Sequence, residues 1–180
     1  MIARSTDRLK FRQITEQDSD FIFDLYSTET FKRFIADKNF QSAEDARKFI
    51  VNSLSVMYRV PGLGLMLVEL KSNTTPIGIC GLIKRDSLDE VDLGFGYLPM
   101  YEGFGYGIEA AGSFVDLARQ ELCLPRLVAI TTSDNTSSIN LLGKLGFRFE
   151  RIHEQLSEQV TLGLYGLDLQ QRHQSPGNAG

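Results

Sequence analysis

Residues 91–110 read VDLGFGYLPMYEGFGYGIEA and contain two different periodicities joined by a run of glycines. Its first part, Val91–Tyr97, alternates apolar residues with Asp or Gly, which is the pattern of a β-strand whose two faces differ. The apolar side chains share one face, and Asp92, Gly94 and Gly96 share the other. A helical pattern of apolar residues begins after the last glycine. The stretch therefore predicts a strand, a glycine loop and a helix in direct succession.

The loop Glu102–Gly107 carries glycines at alternate positions, Gly103, Gly105 and Gly107. Glycine lets the backbone turn sharply, and such a turn can place several amide N–H groups on one side. The helix that follows adds its own free N–H groups and the positive end of its dipole. The loop therefore predicts an uncharged anion site suited to a pyrophosphate. The alternative is that the glycines only form a turn.

The strand before the loop has no side chain at Gly94 and Gly96. A bare strand face would let an extended ligand lie against the backbone, whereas the alternative is a neighbouring helix packed closely on that face. Asp92 points to the same face and is the candidate to accept a proton from such a ligand. Its alternative role is that of a solvated or hydrogen-bonded strand carboxylate, in which case Glu90, one pleat further away, would replace it.

Apolar periodicity and turn signals predict the other elements. Further strands are expected to end near Thr15 and to span Leu65–Leu70, Ile77–Ile83, Leu127–Ile130, Phe147–Ile152 and Leu162–Leu169. Further helices are expected over Gln17–Tyr26, from Ser42 to the break at Pro61, and from the cap at Asn135 to Gly146. This order of elements predicts an α+β, or mixed α/β, domain.

Composition excludes several classes of protein. The chain has 19 Lys and Arg against 23 Asp and Glu, a net charge of -4, which argues against a broad nucleic-acid surface. No apolar run reaches the roughly 18 residues of a membrane span, and no signal peptide is visible, so a cytoplasmic protein is expected. Two Cys and two His are too few for a metal site, and Cys80 is expected to be a small buried apolar residue.

Two segments resemble the signatures of the GNAT acetyltransferase superfamily. The first runs from Asp92 through Pro99 to the glycine loop and Ala110, and resembles the family's coenzyme A motif. The second is Ser133–Ile139 followed by Lys144–Phe147. The start, TDRLKFR at residues 6–12, is similar to the branch that acetylates the N-termini of ribosomal proteins. The resemblance covers roughly Asp7 to Leu169.

This resemblance implies a fold and an activity. Residues 1–169 would form a single acyl-CoA N-acyltransferase domain, with a central, mixed but mostly antiparallel sheet flanked by helices. The polar composition of residues 170–180, outside the resemblance, predicts a disordered tail. The domain would move the acetyl group of acetyl-CoA directly to a primary amine, either a small amine or a protein N-terminus. Acetyl-CoA would be the cosubstrate, and no metal, nucleic acid or membrane would be involved.

The resemblance also implies roles for particular residues. Backbone amides in the loop would bind the coenzyme pyrophosphate, the end of the strand would pair with the pantetheine arm, and the second signature would hydrogen-bond that arm. The residues concerned are Gly103, Phe104, Gly105, Tyr106 and Gly107 for the pyrophosphate, Tyr97 and Leu98 for the arm, and Asn135 with Ser138 one turn later. Asn135 is also expected to cap its helix.

The sequence departs from the family pattern at two positions. Glu102 stands where the family often has Gln or Arg, and its negative charge opposes a nearby pyrophosphate. Gly96 stands where this branch often has an aromatic residue, which removes one wall of the usual acceptor pocket.

Two alternative functions also fit parts of the sequence. A protein of the same fold that binds coenzyme A without catalysis would have the same loop. A dinucleotide-binding oxidoreductase would fit the G-x-G-x-x-A pattern of residues 105–110. However, Pro99–Gly103 separates that pattern from its strand, and the next strand ends in Thr-Thr-Ser without an acidic ligand for the ribose.

Overall fold

A computed structural model of the chain describes residues 4–35, 37–157 and 159–170. Its centre is one sheet in the order β1-β2-β3-β4-β5-β7-β6. The strands are β1 Leu9–Gln13, β2 Gly64–Leu70, β3 Pro76–Lys84, β4 Val91–Tyr97, β5 Arg126–Thr132, β6 Arg148–Gln155 and β7 Thr161–Asp168. Only β4 and β5 run parallel, and the other neighbours are antiparallel. The predicted α+β fold with a mixed, mostly antiparallel sheet is confirmed.

Helices cover both faces of this sheet. They are α1 Ser19–Ser27, α2 Glu29–Phe34, α3 Ala43–Phe49, α4 Ser55–Met57, α5 Tyr106–Gln120 and α6 Thr136–Lys144. Short 3-10 turns precede α1 and follow β4. The helix predicted to begin at Ser42 is divided by a π-helical segment, Ile50–Leu54, between α3 and α4.

The sheet separates two apolar cores. On one face, the α5 side chains Phe114 and Val115 pack with Leu93 and Tyr97 of β4. On the other face, side chains of the first three helices, Ile22, Leu25, Phe31 and Ile50 among them, pack with Leu65 and Ile79 of the sheet. The apolar alternation along β4 thus faces α5, and its Asp and Gly positions face the first three helices.

Most element bounds follow the sequence pattern, and β5 shows why some do not. β4 has the predicted bounds, whereas β5 extends beyond the predicted Leu127–Ile130. Its polar ends are held by pairing with β7, where Arg126 lies opposite Asp168 and Thr132 opposite Leu162. Apolar periodicity does not reveal the polar residues at the ends of a strand, because these residues are held only by backbone pairing with the neighbouring strand. The predicted disordered tail lies, apart from Gln170, outside the described residues.

A gap opens between the two parallel strands in the middle of the sheet. In the described part of the sheet, β4 and β5 are in register only at Asp92 and Val128. Beyond that pair the strands diverge toward their C-terminal ends, where the loop before α5 and the loop before α6 begin. A divergence of parallel strands leaves backbone groups on both inner edges without ladder partners.

None of the helices in the described part of the chain is long and apolar enough to cross a membrane.

Candidate active site

The loop before α5 presents a run of unpaired backbone amides. Within the described part of the chain, no amide from Gly103 to Ile108 donates a hydrogen bond. The amides of Tyr106–Ile108 belong to the first turn of a helix of 15 residues, where no intrahelical acceptor is available. Free N–H groups at a helix N-terminus, reinforced by the helix dipole, form a binding site for anions. The predicted geometry of an anion loop is therefore present.

The alternate glycines of this loop serve different purposes. Gly103 and Gly105 have φ angles of +82° and +79°, a region that side chains with a Cβ rarely occupy. Gly107 lies inside α5, where an added Cβ would lie 2.9 Å from Leu141 of α6. The first two glycines therefore shape the loop, and Gly107 allows α5 and α6 to approach closely.

The edge of β4 that faces the gap carries the amide of Tyr97. The Leu98 N–H donates to the Ile77 carbonyl of β3 at 2.9 Å, and the Leu98 carbonyl accepts from Tyr101. Because backbone groups alternate along a strand, the N–H and C=O of Tyr97 point away from β3, toward the gap. Both groups of Leu98 have a partner within the chain, although its carbonyl oxygen keeps a second lone pair, and the pairing of Leu98 with a pantetheine arm stays a prediction. Tyr97 is the last β4 residue whose backbone groups both face the gap.

The N-terminus of α6 lies on the other side of the gap. Asn135 caps this helix, since its Oδ1 accepts the N–H of Ser138 at 3.2 Å, as expected for a cap. Neither the Asn135 side-chain NH₂ nor the Ser138 hydroxyl makes a hydrogen bond within the described residues. Both side chains are half-buried, so they retain donors beside the gap.

Asp92 is deeply buried at the point where the gap begins. Its side chain is 1% exposed, and its Oδ2 accepts a hydrogen bond from the Arg85 Nε at 2.5 Å. Burial raises the pKa of Asp92, and the neighbouring Arg85 opposes that rise without cancelling it. A carboxylate with a raised pKa is a stronger base than an ordinary aspartate. Tyr97 lies five residues further along β4, roughly 16 Å away.

The comparisons with known proteins agree with this geometry. Residues 8–148 match the family described as Acetyltransferase (GNAT) domain. The chain belongs to the GNAT family. It is 30% identical to YoaA, an uncharacterized N-acetyltransferase of Bacillus subtilis strain 168, over 156 residues, which are 86% of this chain and 87% of that protein. The chain is accordingly a GNAT-type N-acetyltransferase.

Solved structures share the GNAT fold. A GNAT-family acetyltransferase from Bacillus anthracis superposes with a TM-score of 0.78 at 21% identity, covering 94% of this chain and 99% of that one. RimL, a ribosomal L7/L12 alpha-N-protein acetyltransferase solved in complex with coenzyme A, gives a TM-score of 0.78 at 14% identity, with coverage of 93% and 98%. At these identities the likeness concerns the fold alone.

The sheet face beside Gly96 is occupied in this GNAT chain. A Cβ at Gly96 would collide with the ring of Phe31 and come within 2.8 Å of Ile35. At Gly94 an added Cβ would lie 2.8 Å from Ile83 of the neighbouring strand. The expectation of a bare face is therefore wrong, because α2 packs closely on it. Phe31 supplies an aromatic ring where the sequence departs from the family pattern, and the backbone groups without ladder partners lie between β4 and β5.

Sequence reasoning missed the residues that surround this gap from elsewhere in the chain. Phe31 reaches Gly96 from α2, and Arg33 of α2 forms an ion pair with Asp134, next to the α6 cap, at 2.9 Å. No local sequence pattern indicates these contacts, because the two residues of each contact lie far apart in the sequence. Arg85 is different: the hairpin of β3 and β4 places it beside Asp92, and pairing the two predicted strands would have found it.

Cys80 lies in the apolar core on the α5 side of the sheet. Burial raises the pKa of Cys80 to about 12, so that its thiol stays protonated at neutral pH. Cys80 is fully buried, as expected for a small apolar residue. Among the residues that the structure describes, no group of three or more His, Cys, Asp or Glu could hold a metal ion.

Glu102 gives a first testable prediction about the loop. It is exposed at the start of the run of free amides, and its negative charge opposes an anion bound there. Glu102→Gln is expected to tighten the binding of coenzyme A roughly two- to fivefold at low ionic strength, and less at high salt. Calorimetric titration at two salt concentrations measures the effect.

A matched control separates this local effect from the total charge. Asp86→Asn removes the same charge from an exposed position in the turn between β3 and β4. It should leave coenzyme affinity unchanged. Equal affinities for the parent and Glu102→Gln at low salt would mean that Glu102 turns away from the bound anion.

Proposed function

We propose that this GNAT chain transfers the acetyl group of acetyl-CoA directly to a primary amine, either a protein N-terminus or a small amine. The coenzyme pyrophosphate binds the amides of Gly103–Ile108. The pantetheine arm enters the gap between β4 and β5, beside Tyr97, and is hydrogen-bonded by Asn135 and Ser138. The run of unpaired amides next to an open strand edge is the observation that carries this proposal.

The strand edge positions and polarises the thioester. An arm that lies along β4 pairs with the backbone groups of Tyr97, which point into the gap. The N–H of Tyr97 then donates to the thioester carbonyl oxygen and stabilises the negative charge that develops there during attack. Holding the acceptor amine beside this carbonyl supplies a further part of the rate.

The reaction moves one proton from the amine to the departing sulfur. The neutral amine attacks the carbonyl carbon, the C–N bond forms, and the C–S bond breaks with its electron pair going to sulfur. Asp92 takes the amine's proton through a chain of several water molecules, because about 16 Å along β4 separate it from Tyr97. The thiolate takes up a proton from solvent and Asp92 returns its proton to solvent, so that free coenzyme A leaves as a thiol and the base is ready for another turnover.

The acceptor amine reaches the gap between β4 and β5 from the side of the sheet on which α2 lies, without displacing the Phe31 ring that packs on Gly96. Asp92 faces that side, and Phe31 and the Arg33–Asp134 ion pair border it. RimL, which shares the fold, is a protein N-terminal acetyltransferase, and the net charge of -4 favours cationic acceptors in general. Both observations support a primary amine, and neither selects between a peptide N-terminus and a small amine.

A panel of amines tests the proposal. Purified protein is incubated with acetyl-CoA and, in separate reactions, with peptides of different N-terminal residues, polyamines, aminoglycosides and amino acids. We expect release of the coenzyme thiol that depends on one class of amine, together with a product that has gained one acetyl group. Tight coenzyme binding with no turnover across the whole panel would favour a non-catalytic coenzyme A-binding protein instead.

A further inference from the structure

Arg8 connects the N-terminal segment to the glycine loop, although about a hundred residues separate them. Its Nη1 donates to the Phe104 carbonyl at 3.0 Å, and its Nε donates to Glu109 at 2.7 Å. Its guanidinium also lies 4.5 Å above the ring of Tyr106. The same side chain is thereby attached to the loop, to the first turn of α5 and to an aromatic ring between them.

Glu109 holds this arrangement in place from the helix side. Its Oε1 accepts from the Thr6 hydroxyl at 2.6 Å and from the Arg8 backbone N–H at 2.9 Å, while Oε2 accepts from the Arg8 side chain. Burial would raise the pKa of Glu109, but the hydrogen bonds from Thr6 and Arg8 outweigh burial and lower it. Glu109 therefore stays ionised, and Arg8 neutralises its charge beside the anion loop.

The hydrogen bond from Arg8 to the Phe104 carbonyl fixes the direction of the next backbone N–H, that of Gly105. A trans peptide is planar, and its C=O and N–H point in opposite directions. Because Arg8 holds the Phe104 carbonyl on one side of the loop, the N–H of Gly105 points to the other side. By binding the Phe104 carbonyl on one side of the loop, Arg8 therefore orients the Gly105 N–H toward the opposite side.

We infer that Arg8 is a coenzyme-positioning residue, which holds the Phe104–Gly105 peptide so that the Gly105 N–H faces the pyrophosphate. This inference rests on the proposed function of the loop. Arg8 acts through the loop and touches no reacting atom. Its charge also offsets the carboxylate of Glu109, so that, within the described residues, Glu102 is the only one of the two that remains uncompensated beside the loop.

Arg4 provides a matched control within the same segment. It also ties the N-terminal segment to α5, through Ser113 in the middle of that helix at 3.2 Å and Glu121 at its C-terminal end at 2.8 Å. Arg4→Gln therefore loosens the segment without touching the loop. Arg8→Gln removes both the charge and the bond to Phe104. Arg8→Lys keeps the charge but lacks the planar guanidinium group, whose separate N–H groups bind Phe104 and Glu109 at the same time.

Calorimetric titration with coenzyme A and steady-state kinetics, using an acceptor from the amine panel, test the inference. Arg8→Gln is expected to weaken coenzyme A binding about ten- to hundredfold and to raise KM for acetyl-CoA by a similar factor, with kcat little changed. Arg8→Lys should fall between Arg8→Gln and the parent, and Arg4→Gln should match the parent. Thermal melts of all three variants check that each one is folded.

The outcomes separate this inference from the proposed function. If the parent protein fails to bind coenzyme A, the proposed function itself is wrong. If the parent binds and Arg8→Gln binds equally well, only the role of Arg8 is wrong. An equal loss of coenzyme A affinity in Arg4→Gln and Arg8→Gln would show that Arg8 only holds the N-terminal segment in place. Parent-like affinity in Arg8→Lys would contradict the orientation of the peptide and leave only a charge effect.

Discussion

Gly105→Val is expected to weaken coenzyme A binding by about a hundredfold or more while the protein remains folded. Gly105 has a φ of +79° and precedes the first turn of α5. A β-branched residue is strained by about 1–3 kcal/mol in that region, and relief of the strain would turn the neighbouring amides away from the pyrophosphate. Calorimetric titration with coenzyme A measures the change.

Gly146→Val is the control for the strain itself. Gly146 has a φ of +92°, just beyond the end of α6, so the substitution imposes a similar backbone penalty far from the loop. Both variants should melt at a lower temperature than the parent, but only Gly105→Val should lose coenzyme affinity. Parent-like affinity in Gly105→Val would show that the loop is only a turn.

Asp92→Asn is expected to lower kcat about a hundredfold or more with little change in coenzyme affinity. The substitution keeps the shape of the side chain but removes its ability to accept a proton, and general-base catalysis contributes on that scale. Glu90→Gln is the companion variant, because Glu90 is the alternative base and is paired with Arg126 at 3.1 Å. A normal rate in Asp92→Asn together with a slow rate in Glu90→Gln would transfer the role to Glu90.

The pH dependence of the rate distinguishes a base from a structural carboxylate. A base must be ionised to accept a proton, so the rate rises as pH increases through its pKa. Burial raises the pKa of Asp92, and the acidic limb should therefore lie at a higher pH than an ordinary aspartate would give. Arg85→Gln removes the charge that opposes the rise and should move this limb further upward. Asp92→Asn should remove the limb, once ionisation of the acceptor is accounted for.

The central strand, loop and helix were predictable because their signals are local. Alternation along Val91–Tyr97 gave the two faces of β4 without any knowledge of its neighbours. The glycines at alternate positions and the helical pattern after them predicted a loop at a helix N-terminus, and the amides of Gly103–Ile108 are indeed free. In each case backbone geometry within a few residues determines the outcome.

The surroundings of the site were not predictable, because they depend on contacts between distant parts of the chain. An aromatic residue such as Phe31 fits any apolar core, and nothing local indicates that its ring fills the space beside Gly96. The contacts of Arg8 with Phe104 and Glu109 likewise form only when the N-terminal segment lies beside α5. The edge that the backbone groups of Tyr97 and Leu98 face was not predictable either, because alternation along a strand does not say which edge an amide faces until its partner strand is known.

The binding of the pyrophosphate by the loop amides is the central claim, and NMR titration of the ¹⁵N-labelled protein measures it most directly. Coenzyme A is added to the full chain, with 3′,5′-ADP and NAD added in separate titrations. Coenzyme A is expected to cause the largest amide shifts at Gly103–Ile108 and at Tyr97, 3′,5′-ADP to shift part of the same loop, and NAD to have no effect. Saturable coenzyme A binding that leaves the amides of Gly103–Ile108 unshifted would contradict this claim.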